Sequence, residues 1–123
     1  ARRSMMFERF TERTIRAICL AQEEAKRLGQ DRVGTEMLVV GVVAEGSELG
    51  CRVLRQLGVE LGGAREEVEN LMGRGEGSCK FAVDIPFTTA SKRALEDTVA
   101  CASSLGSPAV DTSHLLLAVL QQE

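Results

Sequence analysis

The chain has 123 residues, 44% of them hydrophobic and 27% charged, with a formal net charge of −3. That composition and length suit one small core. Aromatic residues are only 3%, without Trp or Tyr, so neither the basic surface nor the stacking platforms of a nucleic-acid binder are present. No apolar run approaches the roughly eighteen residues of a membrane span. Neither nucleic acid nor a membrane is an expected partner.

Ala1–Met6 is a short leader whose Arg and Ser content matches the stump of a cleaved organellar transit peptide. Helix 1 is expected from an N-cap at Thr11, with Phe10 and Ile15 as a hydrophobic staple and Glu12 in the first turn. Ile15, Ile18, Ala21, Ala25 and Leu28 form its apolar stripe, opposite Glu23, Glu24, Lys26 and Arg27, and Gly29 ends it. The next stretch, Val33 to Val43, is the most apolar of the chain and reads equally as a buried strand or a buried helix. A second copy at Val110 to Leu120, with Leu and Ala in place of Val and Gly, decides for a helix in both, capped by Thr35 and Thr112.

Helix 3 is expected to start at Ser47 and to face Leu49, Val53, Leu54 and Leu57 inward before Gly58. Helix 4 runs from about Leu61 to Met72 with Ala64, Val68 and Leu71 on one face, and Gly73 terminates it. Arg74 to Pro86 reads as a linker, extended at its end because Ile85 precedes a proline. Helix 5 spans Thr88 to Leu105 and helix 6 spans Thr112 to about Gln122.

Two of these segments repeat two others. Phe10-Thr11 recurs as Phe87-Thr88, an offset of 77 (87 − 10), and the same offset maps Arg16-Ala17 on Arg93-Ala94, Leu28-Gly29 on Leu105-Gly106 and Val33 on Val110. The expected fold class is therefore all-α, a pseudo-twofold tandem repeat within a single domain over 1–123. Repeat one covers 10–73, a linker 74–86, and a partial repeat two 87–123. Repeats of this kind share one core, with Leu38, Val42, Leu115 and Val119 expected at its centre. Ser47 to Met72 has no counterpart in the second copy, so helices 5 and 6 are expected to be incompletely covered.

Residues with catalytic potential are sparse. Cys19, Cys51, Cys79 and Cys101 form no C-x-x-C pair and have only His114 to join them, so no metal site is expected; the helical cysteines read as small hydrophobes in a reducing compartment. Gly73 to Lys80 imitates a phosphate loop, but Cys79 stands where Gly must precede Lys80 and Phe81 where Ser or Thr must follow it. His114, inside an apolar helix, reads as a satisfied core histidine. No catalytic residues, cofactor or metal ligands are assigned, and the chain reads as non-enzymatic.

Met6-Phe7-Glu8-Arg9-Phe10-Thr11-Glu12, Ala21-Gln22-Glu23-Glu24-Ala25, Gly34-Thr35-Glu36, Glu45-Gly46 and Ile85-Pro86-Phe87-Thr88 resemble the Clp N-terminal repeat domain of ClpC-type Hsp100 chaperones, most of all plastid and cyanobacterial members. The resemblance implies an all-α domain of two four-helix repeats that binds substrates and adaptors and performs no chemistry. It further implies that Glu36 is a possible contact for phosphoarginine or an adaptor; as a first-turn acid, Glu36 also suits the helix dipole alone. Two departures bear on this site: Met37 replaces the His usual after Gly-Thr-Glu, and Ser113 replaces the second glutamate.

Taken as a complete protein, the chain resembles the stand-alone ClpT accessory proteins of the plastid Clp protease. The expected function is then a non-catalytic subunit that binds the ClpP/ClpR-type ring, with an Hsp100 chaperone or adaptor as a further partner and the plastid stroma as location. Met5, Met6 and Phe7 are the expected partner-binding residues, as an apolar segment beside a polar leader. The alternative is the substrate- and adaptor-docking domain of a ClpC-like chaperone. A Cys-dependent hydrolase is the enzyme reading to reject.

Overall fold

Thr11 and Thr88 start the two long helices in the same way. The Thr11 hydroxyl accepts the Thr14 amide and the Thr88 hydroxyl accepts the Ser91 amide, both at 3.1 Å, which satisfies one of the amides left open at each helix start. The helices that follow are α1 (Glu12–Arg27) and α5 (Thr89–Ser104). Between and after them lie α2 (Thr35–Glu45), α3 (Leu49–Gln56), α4 (Leu61–Met72) and α6 (Thr112–Leu120). This computed structural model describes residues 7–76 and 85–122, and the described residues form an all-α fold.

The caps of α2 and α6 differ from expectation. Gly34 and Asp111, both extended, are the N-caps, and Thr35 and Thr112 are the first helical residues. Asp111 is the stronger cap: its Oδ1 accepts the Ser113 amide at 2.8 Å. Three residues on, the Gly34 amide donates to the Met37 sulfur at 3.2 Å and the Asp111 amide to His114 Nδ1 at 3.0 Å. Met37 thus makes the contact that a histidine makes in the second copy. Because Nδ1 accepts a hydrogen bond it carries no proton, so its 3.5 Å approach to Asp111 Oδ1 is proximity and not an ion pair. His114 is the satisfied buried histidine expected.

Helix α1 lies along α2, and α5 along α6. The first contact is unusually close, for a Cβ at Gly41 would stand 2.1 Å from the Ala17 carbonyl oxygen. Only glycine fits there. The two helix pairs are then cross-linked by backbone. Thr11 N–H donates to Val110 O at 2.9 Å and Val110 N–H to Arg9 O at 2.8 Å; Thr88 N–H donates to Val33 O at 3.0 Å and Val33 N–H to Pro86 O at 2.8 Å. Each pair of bonds is the other shifted by 77 positions with the partners exchanged, the signature of a pseudo-twofold arrangement. Leu38, Val42, Leu115 and Val119 are buried in the shared core, as expected.

Four side-chain expectations are corrected. Helix α3 turns three of its four expected core residues outward: Leu49, Val53 and Leu57 are 52%, 43% and 74% exposed, while Leu54 packs half-buried against the core as expected and Gly50 and Cys51 are buried. The cause is its anchor. A Cβ at Gly50 would lie 2.9 Å from the Thr112 carbonyl oxygen, so the small-residue face is the one that can reach α6. Glu48, not Ser47, is its N-cap residue, and the Glu48 carboxylate accepts the Thr112 amide at 3.1 Å and the Thr11 hydroxyl at 3.1 Å. Helix α3 therefore covers part of α6, though Leu105, Leu117 and Leu120 stay exposed.

On α4 only Val68 is buried, and Leu71 points to solvent. Glu24, expected on the solvent face of α1, is buried because Arg27 closes on it with two bonds of 2.9 and 2.6 Å and Arg65 of α4 approaches to 3.4 Å. Of the cysteines, Cys51 is buried, Cys101 is half-buried and Cys19 is exposed, so the small-hydrophobe reading fails for Cys19.

Candidate functional site

Consecutive turns of α1 place Ile15, Ile18, Cys19 and Gln22 along one edge of the helix. Opposite them runs the extended segment Ile85-Pro86-Phe87, which Val33 holds in place by the paired backbone bonds. Phe7 closes one end. Together these residues line an open groove of about 520 Å³, apolar except for Gln22 and the Cys19 thiol. The Gln22 amide reaches the Ile85 carbonyl at 3.4 Å, and a smaller depression lined by Phe7, Phe87, Lys92, Leu95 and Glu96 continues past the aromatic pair. An open apolar trough with few polar groups is suited to receiving an apolar side chain or segment.

Phe7 has a double role. It is half-buried and packs edge-to-face on the buried Phe10, ring centroids 5.0 Å apart, so it is part of the groove wall and not a free anchor. Met5 and Met6 lie outside the described residues, as does the second half, Gly77 to Lys80, of the glycine-rich stretch that imitates a phosphate loop.

Glu36 sits apart from this groove, half-exposed on the first turn of α2. Its Oε1 lies 2.5 Å from where a Cβ on Gly34 would stand, so the carboxylate is folded back over the helix start. In the second copy, Ser113 replaces the glutamate, and Asp111 replaces Gly34. Asp111 Oδ1 accepts from both the amide and the hydroxyl of Ser113. Each helix start therefore keeps one carboxylate, from position 36 in one copy and 111 in the other. The exchange is visible in the aligned copies, where Gly34 and Glu36 face Asp111 and Ser113.

A third polar cluster ties α4 to α1. Arg27 bridges Glu24 and Glu69, and Arg74 holds Glu69 at 2.9 Å and the Arg27 carbonyl at 3.1 Å. The bond from Glu24 raises the Arg27 guanidinium above its ordinary range, and the bond from Arg74 lowers the Glu69 carboxyl below its usual value. All of these groups are paired, which describes a structural clasp. Among the described residues there is no group of three or more His, Cys, Asp or Glu able to hold a metal ion, and no helix is long and apolar enough to cross a membrane.

Residues 9–123 match the Clp repeat (R) N-terminal domain. The chain belongs to this family. It is 49% identical over 117 residues to an ATP-dependent Clp protease ATP-binding subunit, ClpA homolog, of Guillardia theta, covering 95% of this chain and 14% of that protein. It is 48% identical over 117 residues to the chloroplastic chaperone protein ClpC1 of Oryza sativa subsp. japonica, covering 95% of this chain and 12% of that protein. The crystal structure of the N-terminal domain of the ClpD chaperone of Arabidopsis thaliana superposes with a TM-score of 0.79 at 31% identity, over 98% of this chain and 80% of that one. The Clp N-domain architecture expected from the sequence is thus shown. The chain spans only about an eighth of the length of the curated relatives it matches. These relatives favour the chaperone-domain reading over the stand-alone accessory one.

Proposed function

We propose that this chain is a non-catalytic docking domain of a plastid ClpC-type chaperone, which presents clients or adaptors to a Clp protease system. Within it, 10–73 and 87–123 are the two repeat units and 74–86 the linker, a division supported by the exchanged backbone bonds of Thr11, Val33, Thr88 and Val110. The observation that carries the docking role is the open apolar groove between α1 and Ile85-Pro86-Phe87. Apolar stretches are what an unfolded client exposes, and a trough held on rigid backbone needs no ATP to receive them. The family match and the chaperone relatives support this reading and partners drawn from a Clp system.

The test uses a carboxymethylated, permanently unfolded protein, fluorescently labelled, titrated with the 123-residue chain and followed by anisotropy. Ile15→Asp or Cys19→Arg, both at accessible positions on the groove wall, should weaken binding by about tenfold or more, as charge placed in an apolar contact does. Unchanged affinity in both variants would overturn the groove assignment.

A further inference from the structure

The outward face of α3 is a second exposed apolar surface, and its chemistry differs from that of the groove. Leu49, Val53 and Leu57 recur every fourth residue and stand exposed, forming one apolar stripe along the helix. Such a stripe ordinarily faces the core. Here the opposite face is the anchored one: Gly50 is pressed on Thr112, the buried Cys51 thiol donates to the Val43 carbonyl at 3.5 Å, and the Glu48 carboxylate grips the starts of α1 and α6. The stripe is held rigidly toward solvent.

Its flank is cationic. Arg52 and Gln56 share with the three apolar residues a depression of about 300 Å³, and Arg52, Arg55 and Gln56 line an adjoining one of about 260 Å³. Neither arginine pairs with a carboxylate among the described residues; Arg55 donates only to the Gly46 carbonyl and the Cys51 sulfur. On a chain of net charge −3 this is a local patch of the opposite sign. We infer that the outer face of α3 docks an acidic amphipathic helix of a partner protein, whose apolar side chains pack on Leu49, Val53 and Leu57 while Asp or Glu residues beside them engage Arg52 and Arg55. Apolar anchors at i, i+4 and i+8 fit a helical ligand, and the arginine guanidinium is the group best shaped to meet a carboxylate.

The probe is a synthetic helical peptide with Leu at three positions four residues apart and Glu along one flank; its twin carries Lys in place of each Glu. Binding to the 123-residue chain is read by anisotropy at low salt. The Glu peptide should bind at least about tenfold more tightly than the Lys twin, and Leu57→Ser should weaken it by a similar factor. Leu57 is 74% exposed, so this change spares the core, and unchanged circular dichroism confirms the fold. Arg52→Glu combined with Arg55→Glu should reverse the preference toward the Lys twin, an outcome that simple unfolding cannot give. The groove variant Ile15→Asp should leave the Glu peptide's affinity unchanged, which separates this surface from the proposed client groove. Equal affinity of the two peptides, indifference to the charge reversal, or loss of binding in Ile15→Asp would overturn the inference. So would a concentration-dependent dimer that Leu57→Ser dissolves, since the stripe would then be covered by a second copy.

Discussion

Thr11 donates its amide to the carbonyl of Val110 at 2.9 Å, and this bond between the entrance of the first helix and the entrance of the last joins the two halves of the domain. Its counterpart runs from Thr88 to Val33 at 3.0 Å. With the halves locked in this way, the side chains of α2 and α6 meet at a core that both copies share, and a cavity in one cannot be filled by movement of the other. Leu115, fully buried, is the residue to test. Leu115→Ala should lower the unfolding free energy by about 2–5 kcal/mol in urea denaturation. A loss below about 1 kcal/mol would mean that the halves are not packed through α6.

The junction between α3 and α6 gives two opposite expectations. Glu48→Ala removes the acceptor of the Thr112 amide and of the Thr11 hydroxyl, and should cost about 1–3 kcal/mol while speeding hydrogen exchange at the Thr112 amide. The Thr112 hydroxyl, by contrast, is buried without a hydrogen-bond partner among the described residues. Thr112→Val keeps the shape and deletes the unsatisfied oxygen, so the melting temperature should hold or rise. A clear drop would show that the hydroxyl has an acceptor.

Acid stability should depend on the clasp between α1 and α4. Arg74 and then Arg27 hold the Glu69 carboxyl below its ordinary value of 4.5, so the native state binds this proton less readily than the unfolded chain. The stabilisation is present above about that pH and is lost as pH falls through the lower native value. Glu69→Gln should therefore flatten the acid limb of the stability curve below pH 4.5. Stability that falls equally steeply in variant and parent would remove Glu69 from the acid response.

Phosphoarginine should bind weakly or not at all. Ser113 offers no carboxylate, and Oδ1 of the nearby Asp111 already accepts the Ser113 amide and hydroxyl, which leaves Glu36 as the one inherited glutamate to meet a guanidinium. Titration calorimetry with the free phosphorylated amino acid should give a dissociation constant above about 1 mM. A micromolar constant that disappears in Glu36→Ala would show that one glutamate suffices.

The helices themselves were legible because their signals are local. Thr11 and Thr88 cap as hydroxyl residues do, and the repeat resolved the ambiguity of Val33 to Val43. Side-chain direction was less legible wherever a tertiary contact outweighs periodicity. The apolar stripe of α3 reads as a core face, yet the short side chains of Gly50 and Cys51 permit the closer approach to Thr112 and Val43, and that approach settles the rotation of the helix. Glu24 reads as a solvent residue because its partners Arg65 and Glu69, the latter through Arg27, come from a helix some forty residues later. The groove was equally hidden: one wall is periodic along α1, but the other is Ile85-Pro86-Phe87, which only the pairing of Val33 brings opposite. Phe7 reads from the sequence as a partner-binding anchor; in the fold it packs on Phe10 and lines the groove wall.

The docking role is tested most directly by amide chemical-shift mapping of the isotopically labelled 123-residue chain titrated with an unlabelled, carboxymethylated unfolded protein. Shifts should concentrate on Ile15, Ile18, Cys19, Gln22, Ile85 and Phe87, with the amides of the α4 clasp, Arg65 and Glu69, unmoved. A titration that leaves the groove amides in place, at concentrations where the unfolded protein is saturably bound, would contradict the account.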